Sequence, residues 1–170
     1  MAGGILDYDK IISIYNIKVM EVKEQFHNLV KMRIVNQRYR FPGTMPVTFL
    51  KKHLDTIEKN EYAVSPKADG VRYLLFIDND GNSYFLKRDI TYDDDLMEDL
   101  YMELPDLAGT VIDGELLKIG NNYVFLTFDL LFFAGKSWEK ENLIVRHKIL
   151  DNVLKLLKLQ TPENLKVVMK

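Results

Sequence analysis

One short segment of the chain carries residues that could bind a phosphate-bearing ligand and react with it. It reads Ser-Pro-Lys-Ala-Asp-Gly-Val-Arg and covers residues 65–72. Lys67 could act as a nucleophile in its neutral form, which burial or nearby cations would favour by lowering its pKa. Gly70 lets the backbone bend and approach a ligand closely, and Arg72 is near enough for both cations to meet one phosphate. Asp69 would favour the charged lysine, so we expect it to shape the turn or to accept a hydrogen bond.

The Lys-x-Asp-Gly-x-Arg pattern alone has two interpretations. It could mark a reactive site, or it could be a surface hairpin whose basic residues are solvated. Two later segments bear on the choice. Residues 111–116 end an apolar stretch with Asp113 and Glu115, and residues 125–130 place Asp129 inside a run that should be buried. A buried carboxylate is costly unless it is paired. A hairpin turn at the first segment and a hydrogen-bonded edge carboxylate at the second are the structural alternatives.

The elements that would position these residues follow from the spacing of the apolar side chains. An apolar run at residues 11–19 could be strand or helix. Helical spacing predicts helices at residues 21–34, 46–60 and 138–159, and a short helix within the acidic stretch 91–106. Strand-forming composition and alternation predict strands at residues 62–65, 71–78, 83–87, 110–119, 123–133 and 165–170. Glycine-containing turns at residues 79–82 and 120–122 would join the strands into two hairpins.

Composition limits the class of protein. A chain of 170 residues with 47% hydrophobic residues suits one packed domain or slightly more. The net charge of -2 excludes a uniformly basic surface but not a local basic groove. The absence of cysteine excludes disulfides, thiolate metal sites and cysteine nucleophiles, and three separated histidines argue against a multi-histidine metal site. Because we find neither a membrane span nor a secretory signal, we expect a reducing compartment, the cytosol or the nucleus.

The order of these segments resembles the nucleotidyltransferase core of the mRNA capping enzymes of eukaryotes and their viruses, the RNA guanylyltransferases. That family carries Lys-x-Asp-Gly-x-Arg as its first motif, then an apolar strand ending in Asp-Gly-Glu, then an aromatic-Asp pair. The matching residues are Lys67, Asp69, Gly70, Arg72, Asp113, Gly114, Glu115, Phe128 and Asp129. Phe-Pro-Gly-Thr-Met-Pro-Val at residues 41–47 resembles a segment that DNA ligases generally lack, and Arg88–Asp89 matches a further Arg-Asp pair.

The resemblance implies a role for each matched residue. Lys67 would attack the α-phosphate of GTP and form a covalent lysyl-GMP, from which GMP passes to the 5′-diphosphate end of RNA. Arg72 and Arg88 would contact the ribose and phosphates. Glu115 would contact the sugar or assist a metal ion, and Phe128 would stack on guanine. The expected supporting residues are Asp69, Gly70, Asp113 and Asp129. Mg²⁺ or Mn²⁺ is implied as the cofactor, and RNA polymerase or other capping subunits are candidate partners.

The implied fold is α+β, an ATP-grasp-like nucleotidyltransferase core of twisted, mostly antiparallel sheets flanked by helices. The resemblance begins near Phe41, so the chain divides into an N-terminal extension of unknown role at residues 1–40 and a partial nucleotidyltransferase domain at residues 41–170. The later Asp-Gly-aliphatic and Lys-x-Lys motifs and the C-terminal OB-fold of the family have no match here, and Lys166 and Lys170 do not fit the Lys-x-Lys setting. We therefore expect a piece of a longer protein, with weak or no guanylylation by this chain alone.

The sequence is also compatible with two other functions. A ligase-like adenylyltransferase would share Lys67 and Arg72 but would use ATP or NAD. A non-catalytic scaffold would explain the missing motifs but would have no need for an intact set of charged site residues. The expected location is the nucleus, or the cytoplasm if the protein comes from a cytoplasmic virus.

Overall fold

A computed structural model describes residues 8–31, 34–35, 38–39, 41–62 and 64–170. The α-helices are α1 (Tyr8–Val30), α2 (Leu54–Lys59), α3 (Asp94–Leu100) and α4 (Leu143–Leu157). Short 3-10 helices lie at Lys51–His53 and Pro105–Leu107. The strands are β1 (Ile34–Val35), β2 (Arg38–Tyr39), β3 (Val71–Ile77), β4 (Ser83–Leu86), β5 (Thr110–Ile119), β6 (Asn122–Phe133), β7 (Lys136–Ser137) and β8 (Leu165–Met169).

Six of these strands form one sheet in the order β4-β3-β5-β6-β7, with β8 also paired to β6. The strand pairs described in this sheet are antiparallel apart from β6–β8, which is parallel. The two predicted hairpins are confirmed: β3 pairs with β4, and β5 pairs with β6. The α+β class with a mostly antiparallel sheet is therefore confirmed.

Strand β6 contains two bulges opposite β5. Gly114 pairs with Thr127 and Asp113 pairs with Asp129, so Phe128 is an extra residue without a partner on β5. A second shift falls between Val111 and Ile112. A bulge bends a strand and can redirect a side chain, and bulges are frequent beside functional sites.

The two faces of the sheet carry different apolar clusters. One face packs against the buried side of α4, formed by Leu150, Val153, Leu154 and Leu157, as the sequence predicts. The other face packs against α1, where Phe26 is fully buried and meets Phe76 edge-to-face with ring centroids 5.3 Å apart. Helix α1 thus contributes to the same core as the sheet.

Helix α4 begins later than its apolar spacing predicts. Asn142 is the N-cap, and its side-chain oxygen accepts a hydrogen bond from the amide of Val145 at 3.0 Å. Asparagine is a favoured N-cap because it satisfies an amide that has no partner within the helix. Residues 138–141 therefore precede the helix, and the predicted start at Trp138 is wrong.

The segment between residues 44 and 65 differs most from expectation. The predicted helix at 46–60 is reduced to the 3-10 helix and α2, which together span residues 51–59. The predicted strand at 62–65 is absent from its described residues 62, 64 and 65. The side chains of Val47, Leu50, Leu54 and Ile57 are exposed, and a short helix gains little stability without a buried face.

The N-terminal part also differs. Residues 11–19 and the predicted helix at 21–34 form a single helix, α1, that ends at Val30. Ile34 and Val35 lie in β1, which pairs with β2. Among the described residues, no helix combines the length and apolar character that crossing a membrane requires.

Candidate active site

Strands β3 and β5 bring an arginine and two carboxylates to one face of the sheet. Arg72 lies directly opposite Glu115, and Asp113 follows two residues along β5. The Arg72 guanidinium donates to both oxygens of Asp113, from Nε at 3.0 Å and from Nη2 at 2.5 Å. A two-bond pair of this kind fixes the plane and direction of the guanidinium.

The carboxylate of this pair lies in the protein interior. Asp113 has no exposed surface, whereas the Arg72 side chain is 27% exposed. Burial raises the pKa of Asp113 above its ordinary value, and the hydrogen bonds and charge of Arg72 offset part of that effect. Arg72 therefore meets solvent with one edge while the other is held against the sheet.

The Phe-Pro-Gly segment at residues 41–43 packs against this pair. The Arg72 Cζ lies 4.7 Å from the centre of the Phe41 ring, within cation–π distance. Gly43 is buried, and a Cβ there would lie 2.5 Å from Asp113 Oδ2 and 2.7 Å from Arg72 Nη2. Only glycine fits this position without displacing the ion pair. The sequence pointed to this segment as a family resemblance but did not reveal its contacts.

Two cationic side chains lie near the ring of Phe128. It is half-buried at the β6 bulge. The Arg72 Cζ lies 5.5 Å and the Lys170 Nζ lies 5.8 Å from the centre of its ring. An aromatic ring with cations beside it is suited to stack on a planar, electron-rich group such as a nucleobase.

Lys170 is a site residue that sequence reasoning missed. Strand β8 runs parallel to β6, and the Lys170 amide donates to the carbonyl of Thr127 at 2.8 Å. This bond places the Lys170 Nζ 3.4 Å from an oxygen of Glu115, with both side chains about four-fifths buried (16% and 21% exposed). The sequence feature that could have pointed to Lys170 is its position at the end of a predicted strand. Its relevance depends on the β6–β8 pairing, which spacing alone does not give.

The predicted nucleophile lies ahead of β3 on an exposed stretch. The side chains of Lys67 and Asp69 are 87% and 90% exposed, and they form an ion pair at 2.6 Å. The hydrogen bond and charge of Asp69 raise the pKa of Lys67 above its ordinary value, and Glu115 adds a smaller effect in the same direction. The ion pair with Asp69 therefore favours the protonated form of Lys67, whereas nucleophilic attack needs the neutral amine.

Gly70 lies close to β5, whereas Arg88 lies on the exposed surface. A Cβ on Gly70 would lie 2.9 Å from the carbonyl oxygen of Leu116, so the chain approaches β5 closely at this point. Arg88 is exposed, and its described side-chain contact is with Met45, at 3.4 Å from Nη2 to the sulfur. The structure thus links Arg88 to the 41–47 segment rather than directly to Phe128 or Glu115.

Asp129 is buried and paired, as the cost of burying a carboxylate requires. Its partner is Arg146 of α4, which donates from Nε at 2.7 Å and from Nη2 at 3.0 Å. The sequence predicted the need for a partner but did not identify Arg146. Among the residues with described side chains, no group of three or more His, Asp or Glu residues is arranged to hold a metal ion.

The comparisons with known proteins bear on the identity of this site. A sequence profile of the family described as "mRNA capping enzyme, catalytic domain" matches residues 10–167. The chain belongs to this family. The matched range includes most of α1 as well as every residue of the candidate site except Lys170.

Individual capping enzymes are similar to parts of the chain. The mRNA-capping enzyme subunit alpha of Neurospora crassa is 35% identical over 113 residues, covering 57% of this chain and 28% of that protein. The probable mRNA-capping enzyme of Acanthamoeba polyphaga mimivirus is 30% identical over 124 residues, covering 71% and 10%. The mRNA-capping enzyme of Danio rerio is 32% identical over 106 residues, covering 58% and 18%. The chain thus spans less than a third of the length of these relatives.

Proposed function

We propose that this capping-enzyme domain is an mRNA guanylyltransferase that transfers GMP from GTP to the 5′-diphosphate end of RNA through a lysyl-GMP at Lys67. The observation that carries the proposal is the convergence of Arg72, Glu115, Phe128 and Lys170 on one end of the sheet face in a member of this family. The chain segment that carries Lys67 leads directly into β3, where Arg72 lies.

Base recognition would use Phe128 and Lys170. Stacking on an aromatic ring contributes about 1–3 kcal/mol per base but does not distinguish guanine from adenine. An ammonium group is a donor only. Guanine presents two acceptors, O6 and N7, along the edge where adenine places an amino donor beside N7. A lysine beside the stacked base therefore favours guanine.

Arg72 would orient the nucleotide. Because Asp113 fixes its guanidinium and Phe41 packs on it, its exposed edge is already in place for the ribose and phosphates. Such preorganisation lowers the entropic cost of binding. Arg88 would join it from the rim of the site, in keeping with its exposed position near Met45.

The chemistry at Lys67 would require the nitrogen to lose two protons, one from the ammonium group before the attack and one after the P–N bond has formed. The amine attacks the α-phosphorus, a P–N bond forms, the bond to the β-phosphate oxygen breaks, and pyrophosphate leaves. Asp69, which already accepts a hydrogen bond from Lys67, is placed to receive or relay the first proton. A terminal phosphate oxygen of the RNA then attacks the same phosphorus, the P–N bond breaks, and a proton returns to the nitrogen, which restores the amine. Covalent catalysis divides the transfer into two steps in this way.

The site partly fits a divalent cation. Asp113 and Asp129 are each bound by an arginine through two hydrogen bonds. Among the described side chains, the ion pair of Glu115 is the longer one with Lys170, at 3.4 Å, so Glu115 could supply one oxygen ligand. Mg²⁺ is often held by one or two carboxylates together with substrate phosphates. When bound, the metal would offset charge on the triphosphate.

As part of the same proposal, the domain has an ATP-grasp-like core that begins after residue 40, and the full protein carries an OB-fold domain outside these 170 residues. The proposed location is the nucleus, or the cytoplasm if the protein comes from a cytoplasmic virus. Other capping subunits or RNA polymerase are the proposed partners. The name of the Neurospora relative, a subunit alpha, supports partnership with another subunit.

Calorimetric titration of the chain with GTP and with ATP tests the recognition step. We expect GTP to bind more tightly and Lys170→Met to remove about tenfold of that preference, or about 1.4 kcal/mol. Lys166→Met is the matched control, since Lys166 is an exposed lysine on β8, the strand that ends just before Lys170. Equal affinity for both nucleotides, or equal losses in the two lysine variants, would overturn the assignment of Lys170.

A further inference from the structure

The first two turns of α4 reach the two residues at the centre of the candidate site. Arg146 donates two hydrogen bonds to the carboxylate of Asp129, at 2.7 and 3.0 Å. The next residue, His147, bonds through Nε2 to the main-chain oxygen of Phe128 at 2.8 Å. Since a carbonyl only accepts, His147 carries a proton on Nε2.

These contacts fill a gap in the sheet. Along one edge of β6, β8 pairs with residues 123–127 and β7 pairs with residues 132–133. The β7 side extends to Leu131, whose carbonyl accepts from the Trp138 amide at 2.9 Å. Among the residues that the structure describes, residues 128–130 have no strand partner on that edge. Phe128 also lacks a partner on the β5 side because it is the bulged residue. Strand pairing therefore does not fix the backbone at Phe128.

We propose that Arg146 and His147 are positioning residues that set the direction of the Phe128 ring for stacking on the base. This inference rests on the proposed function. His147 binds the carbonyl of Phe128, and Arg146 binds the side chain of Asp129, so the backbone on the C-terminal side of Phe128 is anchored to α4. Arg146 and His147 would act on the nucleotide only through Phe128.

The chemistry of Arg146 suits this role. Its side chain is 13% exposed, and its Nη1 donates to the carbonyl of Glu141 at 2.5 Å, so the guanidinium is itself fixed by the segment that leads into α4. A planar guanidinium can bind both carboxylate oxygens and thereby fix the orientation of Asp129, whereas a lysine ammonium is a point charge that cannot.

Fluorine NMR of the chain carrying 4-fluorophenylalanine at position 128 tests the inference without nucleotide. The variants are Arg146→Lys, which keeps the charge, and His147→Leu, which removes the donor. His147→Gln is the conservative rescue because its amide can donate a similar bond. Lys155→Met is the matched control, since it removes an exposed ion pair with Asp151, 3.1 Å long, from the same helix.

We expect one sharp fluorine resonance in the parent chain, in His147→Gln and in Lys155→Met. We expect a broadened or split resonance in Arg146→Lys and His147→Leu, well below their melting temperatures, together with GTP binding weakened about tenfold. An unchanged resonance in both of the latter variants would overturn the inference, and so would an equal change in Lys155→Met. If Arg146→Lys does not fold, the comparison of His147→Leu with His147→Gln decides.

The two proposals fail in different ways. If the resonance responds as expected but the parent chain binds GTP no better than ATP, then α4 positions the ring and the proposed guanine site is wrong. If GTP binds preferentially but the resonance does not respond, the proposed function stands and the positioning role of α4 is wrong.

Discussion

Three charged pairs of opposite sign lie at the candidate site. Arg72 binds Asp113, Arg146 binds Asp129, and Lys170 lies near Glu115. The first two pairs have the two-bond geometry that fixes direction, and the third is longer and more open. A triphosphate would therefore find the arginines already oriented. It would have to compete with Glu115 for Lys170, and with Asp69 for the exposed Lys67.

The pairing of Lys67 makes a testable prediction about its ionisation. Asp69 stabilises the protonated amine, so Asp69→Asn should lower the pKa of Lys67 towards the ordinary lysine value. The neutral fraction at a given pH then rises. The rate at which trace acetic anhydride acetylates Lys67, followed by peptide mass spectrometry across pH, should show a midpoint at lower pH in the variant. An unchanged or higher midpoint would contradict the ion pair.

The Arg72–Asp113 pair should respond unequally to the loss of each partner. Arg72→Met leaves a buried, unpaired carboxylate and should lower the free energy of unfolding by about 3–5 kcal/mol at pH 7. Asp113→Asn leaves a guanidinium that can reach solvent and should cost about 1–2 kcal/mol. Urea denaturation measures both, and a larger loss in Asp113→Asn would contradict the burial described for Asp113.

The sign of the pH dependence follows from the same pair. Burial raises the folded-state pKa of Asp113, and Arg72→Met removes the group that lowers it. The folded variant then binds the proton more readily than the unfolded chain, so protonation favours folding. The loss caused by Arg72→Met should therefore shrink as the pH falls from 7 towards 5. A loss that is constant or grows over this range would show that Asp113 is not the group responsible.

At the scale of elements, the site depends on how β5 and β6 run beside each other. Gly114 lies in β5 next to the Phe128 bulge. A Cβ there would lie 2.6 Å from the Phe125 ring and 2.7 Å from the carbonyl oxygen of Leu126 on the paired strand. The glycine thus permits the close strand contact next to the bulge.

Gly114→Ala should therefore destabilise the fold by about 1–3 kcal/mol through overpacking. Gly120→Asn is the control, because a Cβ at Gly120 meets nothing within 4 Å and asparagine tolerates its φ of +61°. Thermal or urea unfolding compares the two variants. A fully stable Gly114→Ala chain would mean that β5 and β6 can separate at this point without loss.

Much of this architecture could be predicted from the sequence because its signals are local. Alternation, an Asp-Gly turn at residues 80–81 and a Gly-Asn-Asn turn at residues 120–122 predict the two hairpins, and apolar spacing predicts the buried face of α4. The segment at 46–60 was misread because its apolar spacing is helical while its side chains are exposed in the structure. Spacing shows that a face could be buried, but not whether a partner is present.

The candidate site could be predicted only in part, because some of its contacts depend on long-range packing. The motif residues Arg72, Asp113, Glu115 and Phe128 were named from the sequence and do lie together. Their contacts with Phe41, Lys170 and Arg146 depend on long-range packing. The buried Asp129 signalled that some cation had to be near, but the choice of Arg146 depends on how α4 packs. The bulge at Phe128 has no signature in the sequence.

At the scale of the whole molecule, α1 and the sheet share one apolar cluster. Phe26 has no exposed surface, whereas Ile17 is 53% exposed on another side of the same helix. The family match also begins at residue 10. The separate role predicted for residues 1–40 stays a prediction, but α1 is bound to the core that carries the site.

This packing predicts that α1 unfolds with the sheet. Phe26→Ala should lower the free energy of unfolding by about 3–5 kcal/mol, as expected for a large aromatic residue removed from a core. Ile17→Ala should change it by less than about 0.5 kcal/mol. Urea unfolding followed by tyrosine fluorescence and by circular dichroism should give coincident transitions. Equal effects of the two substitutions would mean that α1 is an independent segment.

The central claim is that Lys67 accepts GMP from GTP, and the intact mass of the chain tests it most directly. The chain is incubated with GTP and Mg²⁺ or Mn²⁺, and in parallel with ATP, alongside Lys67→Ala. The account predicts a species heavier by one GMP, with no adduct from ATP and none on Lys67→Ala. An adduct that forms equally well from ATP, or a GMP adduct that persists in Lys67→Ala, would contradict it.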